Sequence, residues 1–183
     1  MKAETFEDFH RVHFVGIGGI GVSALARLMH SRGARVSGSD ALNSELLTAL
    51  RREGIVVTVG HSRENVPGET ELLVYSGAVP DDNPELVYAR ERDIQCMDRG
   101  AFLCLVSRDY FTIAVSGTHG KTTTTAMLGK VLSDAGLKPT VLVGSLFAES
   151  GTNFLPGGDV ETKDGSRHYL VVEACEYRRA FLE

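Results

Sequence analysis

Residues Val15–Ser23 read VGIGGIGVS. Gly16, Gly18 and Gly21 satisfy G-x-G-x-x-G, directly after the apolar run RVHFV (11–15) and directly before VSALARLMHSRG (22–33), where Leu25, Leu28 and Met29 share one helical face. Strand, glycine turn and helix in that order let backbone amides crowd against a diphosphate at the positive end of the helix. Gly16, Ile17, Gly18, Gly19, Ile20 and Gly21 are therefore candidate phosphate-facing residues. Asp40 closes the next strand, ARVSGSD (34–40), where a dinucleotide fold places its ribose acceptor. The motif suits NAD and any other nucleoside diphosphate equally.

Outward from this unit the alternation continues. NSELLTALRREG (43–54) is an amphipathic helix capped by Asn43 or Ser44 and stopped by Gly54. IVVTV and ELLVYSG are strands, and DNPELVYARERD is a helix opened by Asn83 with Pro84 in its first turn. A brief strand at IQCM and a helix at GAFLCLV follow. Repeated strand-helix units predict an α/β, Rossmann-like parallel sheet with helices on both faces over residues 1–107.

Near Ser107–Phe111 the pattern restarts, predicting a second domain over 108–183. FTIAVSG is a strand, KTTTTAMLGKVLSDAG a helix ending at Gly136, PTVLVGS a strand, Ser150–Arg167 a glycine-rich loop or hairpin, and HYLVVEACE a last buried strand. Between the first two lies VSGTHGKTTTT (Val115–Thr125). Gly120, Lys121 and Thr122 match the end of a P-loop, in which amides wrap phosphates, the lysine reaches them and the hydroxyl takes Mg²⁺. The leading glycine stands at Gly117 instead of position 115, so the loop is shortened. Gly117, Thr118, His119, Gly120, Lys121, Thr122 and Thr123 are the candidate ATP-binding residues. Thr123, Thr124 and Thr125 also read as helix-surface or packing residues, and His119 as either loop-shaping or substrate-touching. Glu173, ending an apolar strand, is the candidate metal carboxylate beside Thr122, with Glu176 as the fallback.

Composition narrows the partners. The chain has 183 residues, 43% hydrophobic and 23% charged, with a net charge of -5, which argues against nucleic acid as the main partner. No stretch of about 18 apolar residues marks a membrane span, and no secretory leader is visible, so a cytoplasmic protein is expected. Cys96, Cys104 and Cys175 form no C-x-x-C pair and read as reduced thiols, Cys175 as a spectator.

HFVGIGGIGVSALA, VSGSD, GHSRENV, SGAVPDDNPELVYAR, VSGTHGKTTTTAML and VVEACEYRRAFL together resemble the Mur ligases of peptidoglycan synthesis, over nearly the whole chain. The resemblance implies a first domain that binds a UDP sugar and the N-terminal part of a central ATPase domain, cut short, with a third domain for the amino acid absent. It implies a cell-wall ligase that joins L-alanine to the lactyl carboxylate of UDP-N-acetylmuramate at the expense of ATP, with Mg²⁺. By motif, Gly16–Gly21 would face the diphosphate, and Asp40, His61 and Ser62 the uridine end. Ser76, Asn83 and Arg99 would lie sugar-side or order loops. Lys121, Thr122 and Glu173 would be catalytic, with Thr122 and Glu173 on the metal. The family's E-A-D-E string reads EACE here, and its R-A-E pattern reads RGAF at Arg99–Phe102.

Three other readings stand beside this one. A relative joining a ready-made tripeptide to the same sugar shares GTHGKTTT, although its first glycine loop usually differs. An NAD-dependent oxidoreductase explains Gly16 to Asp40 but leaves Lys121 and Thr122 idle. A nucleotide-binding module that does not ligate fits the 183 residues taken alone. The oligomeric state stays open, a homodimer included.

Overall fold

The computed structural model describes residues 5–147, 150–162 and 165–174. Cys175 and Glu176 lie outside them. The chain divides into two compact units, Met1–Phe102 and Leu103–Glu183.

The first unit contains β1 (Arg11–Val15), α1 (Ile20–Ser31), β2 (Arg35–Asp40), α2 (Glu45–Arg52), β3 (Val56–Val59), β4 (Leu72–Tyr75), α3 (Pro84–Glu91) and β5 (Gln95–Asp98). Its strands form a parallel sheet in the order β3-β2-β1-β4-β5. The order reverses at β1, which has β2 on one side and β4 on the other. A doubly wound sheet opens its ligand crevice at that switch, beyond the carboxyl ends of the strands.

Local chemistry sets the boundaries as the sequence predicts. Ser44 caps α2 by accepting from the Leu47 amide, and Asn83 caps α3 by accepting from the Glu85 amide. Gly33 and Gly54 take positive φ after α1 and α2. Leu25, Leu28 and Met29 are buried on α1, while Phe14 of β1 meets Phe102 edge-on at 6.2 Å. Val15, Val66, Leu73, Leu86 and Ala89 form a core cluster on β1, β4, α3 and the loop at Val66.

The second unit holds β6 (Phe111–Val115), α5 (Lys121–Asp134), β7 (Thr140–Leu142), β8 (Phe154–Leu155), β9 (Val160–Thr162), β10 (Gly165–Arg167) and β11 (Tyr169–Glu173). One further helix, α4 (Arg99–Arg108), carries the division between the units. The sheet runs β6-β11-β7-β8, its first three strands parallel and β8 antiparallel to β7, while β9 and β10 pair separately. The short edge strand β8 is not predicted by the sequence pattern; the glycine-rich segment yields both it and the β9–β10 pair. Val141, Val143 and Val171 form the core under Ala126, Leu128 and Leu132 of α5.

One close approach fixes the first unit's glycine turn. A Cβ on Gly38 of β2 would lie 2.5 Å from the Phe14 carbonyl oxygen and 2.6 Å from Cδ1 of Ile17, which is itself completely buried. Ile17 therefore seats the turn by packing where Gly38 has no side chain. Gly38→Ala should cost about 1–3 kcal/mol of stability, measured as a lowered urea midpoint, with the turn displaced.

Candidate functional site

The glycine turn is held by the next strand. The amides of Gly16 and Ile17 both donate to the Ser39 carbonyl, at 2.8 and 3.0 Å, and Gly19 N–H donates back to the Gly16 carbonyl at 3.1 Å. Gly16 has a φ of +75°, and a Cβ there would stand 2.9 Å from Cβ of Ser76 at the end of β4. Asp40 Oδ2 accepts from the Gly18 amide at 2.8 Å, and a Cβ on Gly18 would fall 2.8 Å from the same oxygen. Asp40 thus clamps the turn, a use beyond the ribose contact expected from its place at the strand end. Arg99 lies against the start of α1: a Cβ on Gly21 would be 3.1 Å from its Cδ and Nη1. Among the described residues no acceptor or carboxylate partners the Arg99 guanidinium.

The uridine-end candidates His61 and Ser62 are joined to this turn through two residues that the sequence reading did not single out, Ser39 and Glu85. Glu85, in the first turn of α3, is wholly buried. Its Oε2 accepts from Ser39 Oγ at 2.5 Å and from Nε2 of the buried His13 at 3.2 Å. Its Oε1 accepts from Asn65 Nδ2 at 2.8 Å and from the Ser62 amide at 3.1 Å, with His61 Nδ1 3.5 Å away. His61 Nδ1 also lies 3.0 Å from Ser39 Oγ, and His13 Nδ1 lies 2.8 Å from Ser37 Oγ. Burial alone would raise the Glu85 carboxyl pKa, but donation from His13, Ser39 and Asn65 outweighs it and lowers the value to about 2. The signal in the sequence was Asn83-Pro84-Glu85: the cap that starts α3 also buries a carboxylate.

In the second unit, Gly120 caps α5 with a φ of +78°, and Gly117 has a φ of +142°. Lys121 Nζ donates to the Gly117 carbonyl at 2.5 Å, so the lysine folds back over its own loop. Thr118, His119 and Thr123 are exposed, Thr122 is half-buried, and Thr125 is buried with an unpartnered hydroxyl among the described residues. Glu173 pairs in register with Val115, at the strand end from which the loop departs. Its Oε1 accepts from the Gly144 amide at 2.7 Å, and a Cβ on Gly144 would lie 2.5 Å from Oε2. Lys121, Thr122 and Glu173 are thereby gathered at the carboxyl edge of the second sheet. No group of three or more acidic, His or Cys side chains arranged for a metal occurs among the described residues. No described helix is long and apolar enough to cross a membrane.

The sequence model of the Mur ligase family, catalytic domain, matches residues 11–110, more than half of the chain. The chain belongs to the Mur ligase family. The matched span of this Mur ligase chain contains the glycine turn, Asp40, His61, Glu85 and Arg99, and ends before Lys121. The chain is 44% identical over 173 residues to a UDP-N-acetylmuramate–L-alanine ligase of Clostridium botulinum, covering 94% of this chain and 36% of that relative. It therefore spans little more than a third of the length of the curated relatives it matches. The solved UDP-N-acetylmuramate–alanine ligase of Thermotoga maritima superposes with a TM-score of 0.77 at 37% identity, over 89% of this chain and 36% of that one. A UDP-N-acetylmuramate:L-alanyl-γ-D-glutamyl-meso-diaminopimelate ligase from Neisseria superposes at 0.79 with 28% identity, over 92% of this chain and 53% of that one. These likenesses bear out the α/β, Rossmann-like reading.

The buried carboxylate makes the first unit of this chain sensitive to acid. Glu85 has a folded pKa of about 2, below the ordinary 4.5. The stability it contributes is fully present above the ordinary value and is lost as pH falls from there through the folded value. Urea unfolding at successive pH values should show the wild type losing stability across that window, by roughly 3 kcal/mol from this group. Glu85→Gln should be less stable at neutral pH and should lack that component of the acid dependence.

Proposed function

We propose that this chain is the nucleotide-handling part of a cytoplasmic ligase that joins L-alanine to UDP-N-acetylmuramate for peptidoglycan synthesis. The observation that carries the first half is Arg99, a cation without a partner among the described residues, set against Gly21 where α1 begins. A diphosphate held there would gain the helix end and the guanidinium together. Ser76, which contacts the turn at Gly16, is the candidate for the sugar side, and Asp40, His61 and Ser62 are candidates for the uridine side. An NAD reading of the first unit would leave the loop at Lys121 and Thr122 without a role, which weighs against it. Greater identity to the alanine ligase than to the tripeptide ligase favours alanine.

ATP is assigned to the loop Gly117–Thr123, with its phosphates against the amides and Lys121. The reaction begins when a lactyl carboxylate oxygen attacks the γ-phosphorus and the bond to the β-γ bridging oxygen breaks, giving an acyl phosphate and ADP. The alanine amine then attacks the acyl carbon, loses a proton, and phosphate departs. Two anions must meet in the first step, so Lys121 is there to offset charge on the transferred group. A hydroxyl and a carboxylate are hard oxygen donors suited to Mg²⁺, and Thr122 and Glu173 would hold it. Bound there, it supplies further neutralisation of phosphate charge.

Isothermal calorimetry tests both halves separately. The chain should bind UDP-N-acetylmuramate and not NAD, and Arg99→Ala should weaken that binding about tenfold or more. Lys121→Ala should leave UDP-sugar binding intact while weakening ATP, and in a full-length ligase it should slow turnover by about 10²-fold or more. NAD binding at the first site, or unchanged affinity in Arg99→Ala, would overturn the assignment.

A further inference from the structure

We infer that Glu85 is a positioning residue which, through Ser39, fixes the proton of His61 on Nδ1, so that Nε2 faces the ligand as a hydrogen-bond acceptor and reads the N3–H of a uracil ring. Glu85 accepts hydrogen bonds only, being a buried carboxylate in its ionised form. Ser39 has one hydroxyl hydrogen, and at 2.5 Å from Glu85 Oε2 that hydrogen is committed to the carboxylate. The 3.0 Å contact between Ser39 Oγ and His61 Nδ1 then has only one workable direction: Nδ1 carries the hydrogen and Oγ accepts it. Glu85 Oε1, 3.5 Å from the same nitrogen, reinforces that choice.

In the neutral ring the second nitrogen must therefore keep its lone pair. His61 Nε2 has no partner among the described residues, and 21% of the side chain is accessible. Uracil offers N3–H to an acceptor, whereas cytosine has a lone pair at the same position, so the fixed tautomer attracts one base and repels the other. Ser39 also accepts the Gly16 and Ile17 amides through its carbonyl. One residue thus ties the base-reading ring to the phosphate-facing turn. The base assignment rests on the UDP-sugar reading given above; the proton assignment does not.

Long-range ¹H–¹⁵N spectra of ¹⁵N-histidine-labelled chain, at a pH where the imidazoles are neutral, would report the His61 tautomer, with His61→Gln assigning the signal. Titration with UDP and with CDP would report the base preference. The expected result is an Nδ1–H ring in wild type that shifts towards Nε2–H in Ser39→Ala and Glu85→Gln, with a UDP-over-CDP preference of about tenfold that narrows in Ser39→Ala. A purely structural role for Ser39 and Glu85 would leave tautomer and preference unmoved in variants that still fold. An Nε2–H ring in wild type, or equal affinity for the two nucleotides, overturns the inference. If the tautomer behaves as stated but wild type binds neither UDP nor CDP, the relay stands and the UDP-sugar reading falls.

Discussion

A negative charge with no access to water has to be answered by donors, and Glu85 determines much of the first unit by that requirement. Its donors come from β1, β2 and the segment running from His61 to Asn65. Each is held where a buried carboxylate needs it, because leaving one lone pair unmet costs more than a typical hydrogen bond contributes. The segment after β3 has little apolar burial of its own beyond Val66. Its path is set by polar contacts to α3, which explains how two surface residues acquire a defined position.

The glycine turn depends on a different constraint, steric rather than electrostatic. Gly38 leaves room for Ile17, and Gly18 leaves room for the Asp40 carboxylate. The two constraints meet at Ser39, whose carbonyl holds the turn and whose hydroxyl holds Glu85. A site that binds a flexible nucleotide gains from such fixed geometry, because the protein side has little left to order on binding.

Much of this was legible in the sequence for identifiable reasons. Apolar period, caps at Ser44 and Asn83, and glycine stops at Gly33, Gly54 and Gly136 are local signals; α2 and α3 begin, and α1, α2 and α5 end, where those signals stand. The parallel order followed from strand-helix alternation. What stayed hidden was pairing across long separations. Nothing near Glu85 announces that its partners lie at His13 and Ser39, and nothing near Asp40 announces that its oxygen would take the Gly18 amide. The edge strand β8 was hidden because two residues carry no period.

The folded-back side chain of Lys121 bears on how the second loop meets a ligand. With its ammonium already on the Gly117 carbonyl, the side chain has surrendered its rotameric freedom before any phosphate arrives. Capture of an anion is then an exchange of one oxygen partner for another, so the selectivity of the loop follows from how much better a phosphoryl oxygen competes than a peptide carbonyl. Weak monoanions should lose that competition, and polyphosphates should win it.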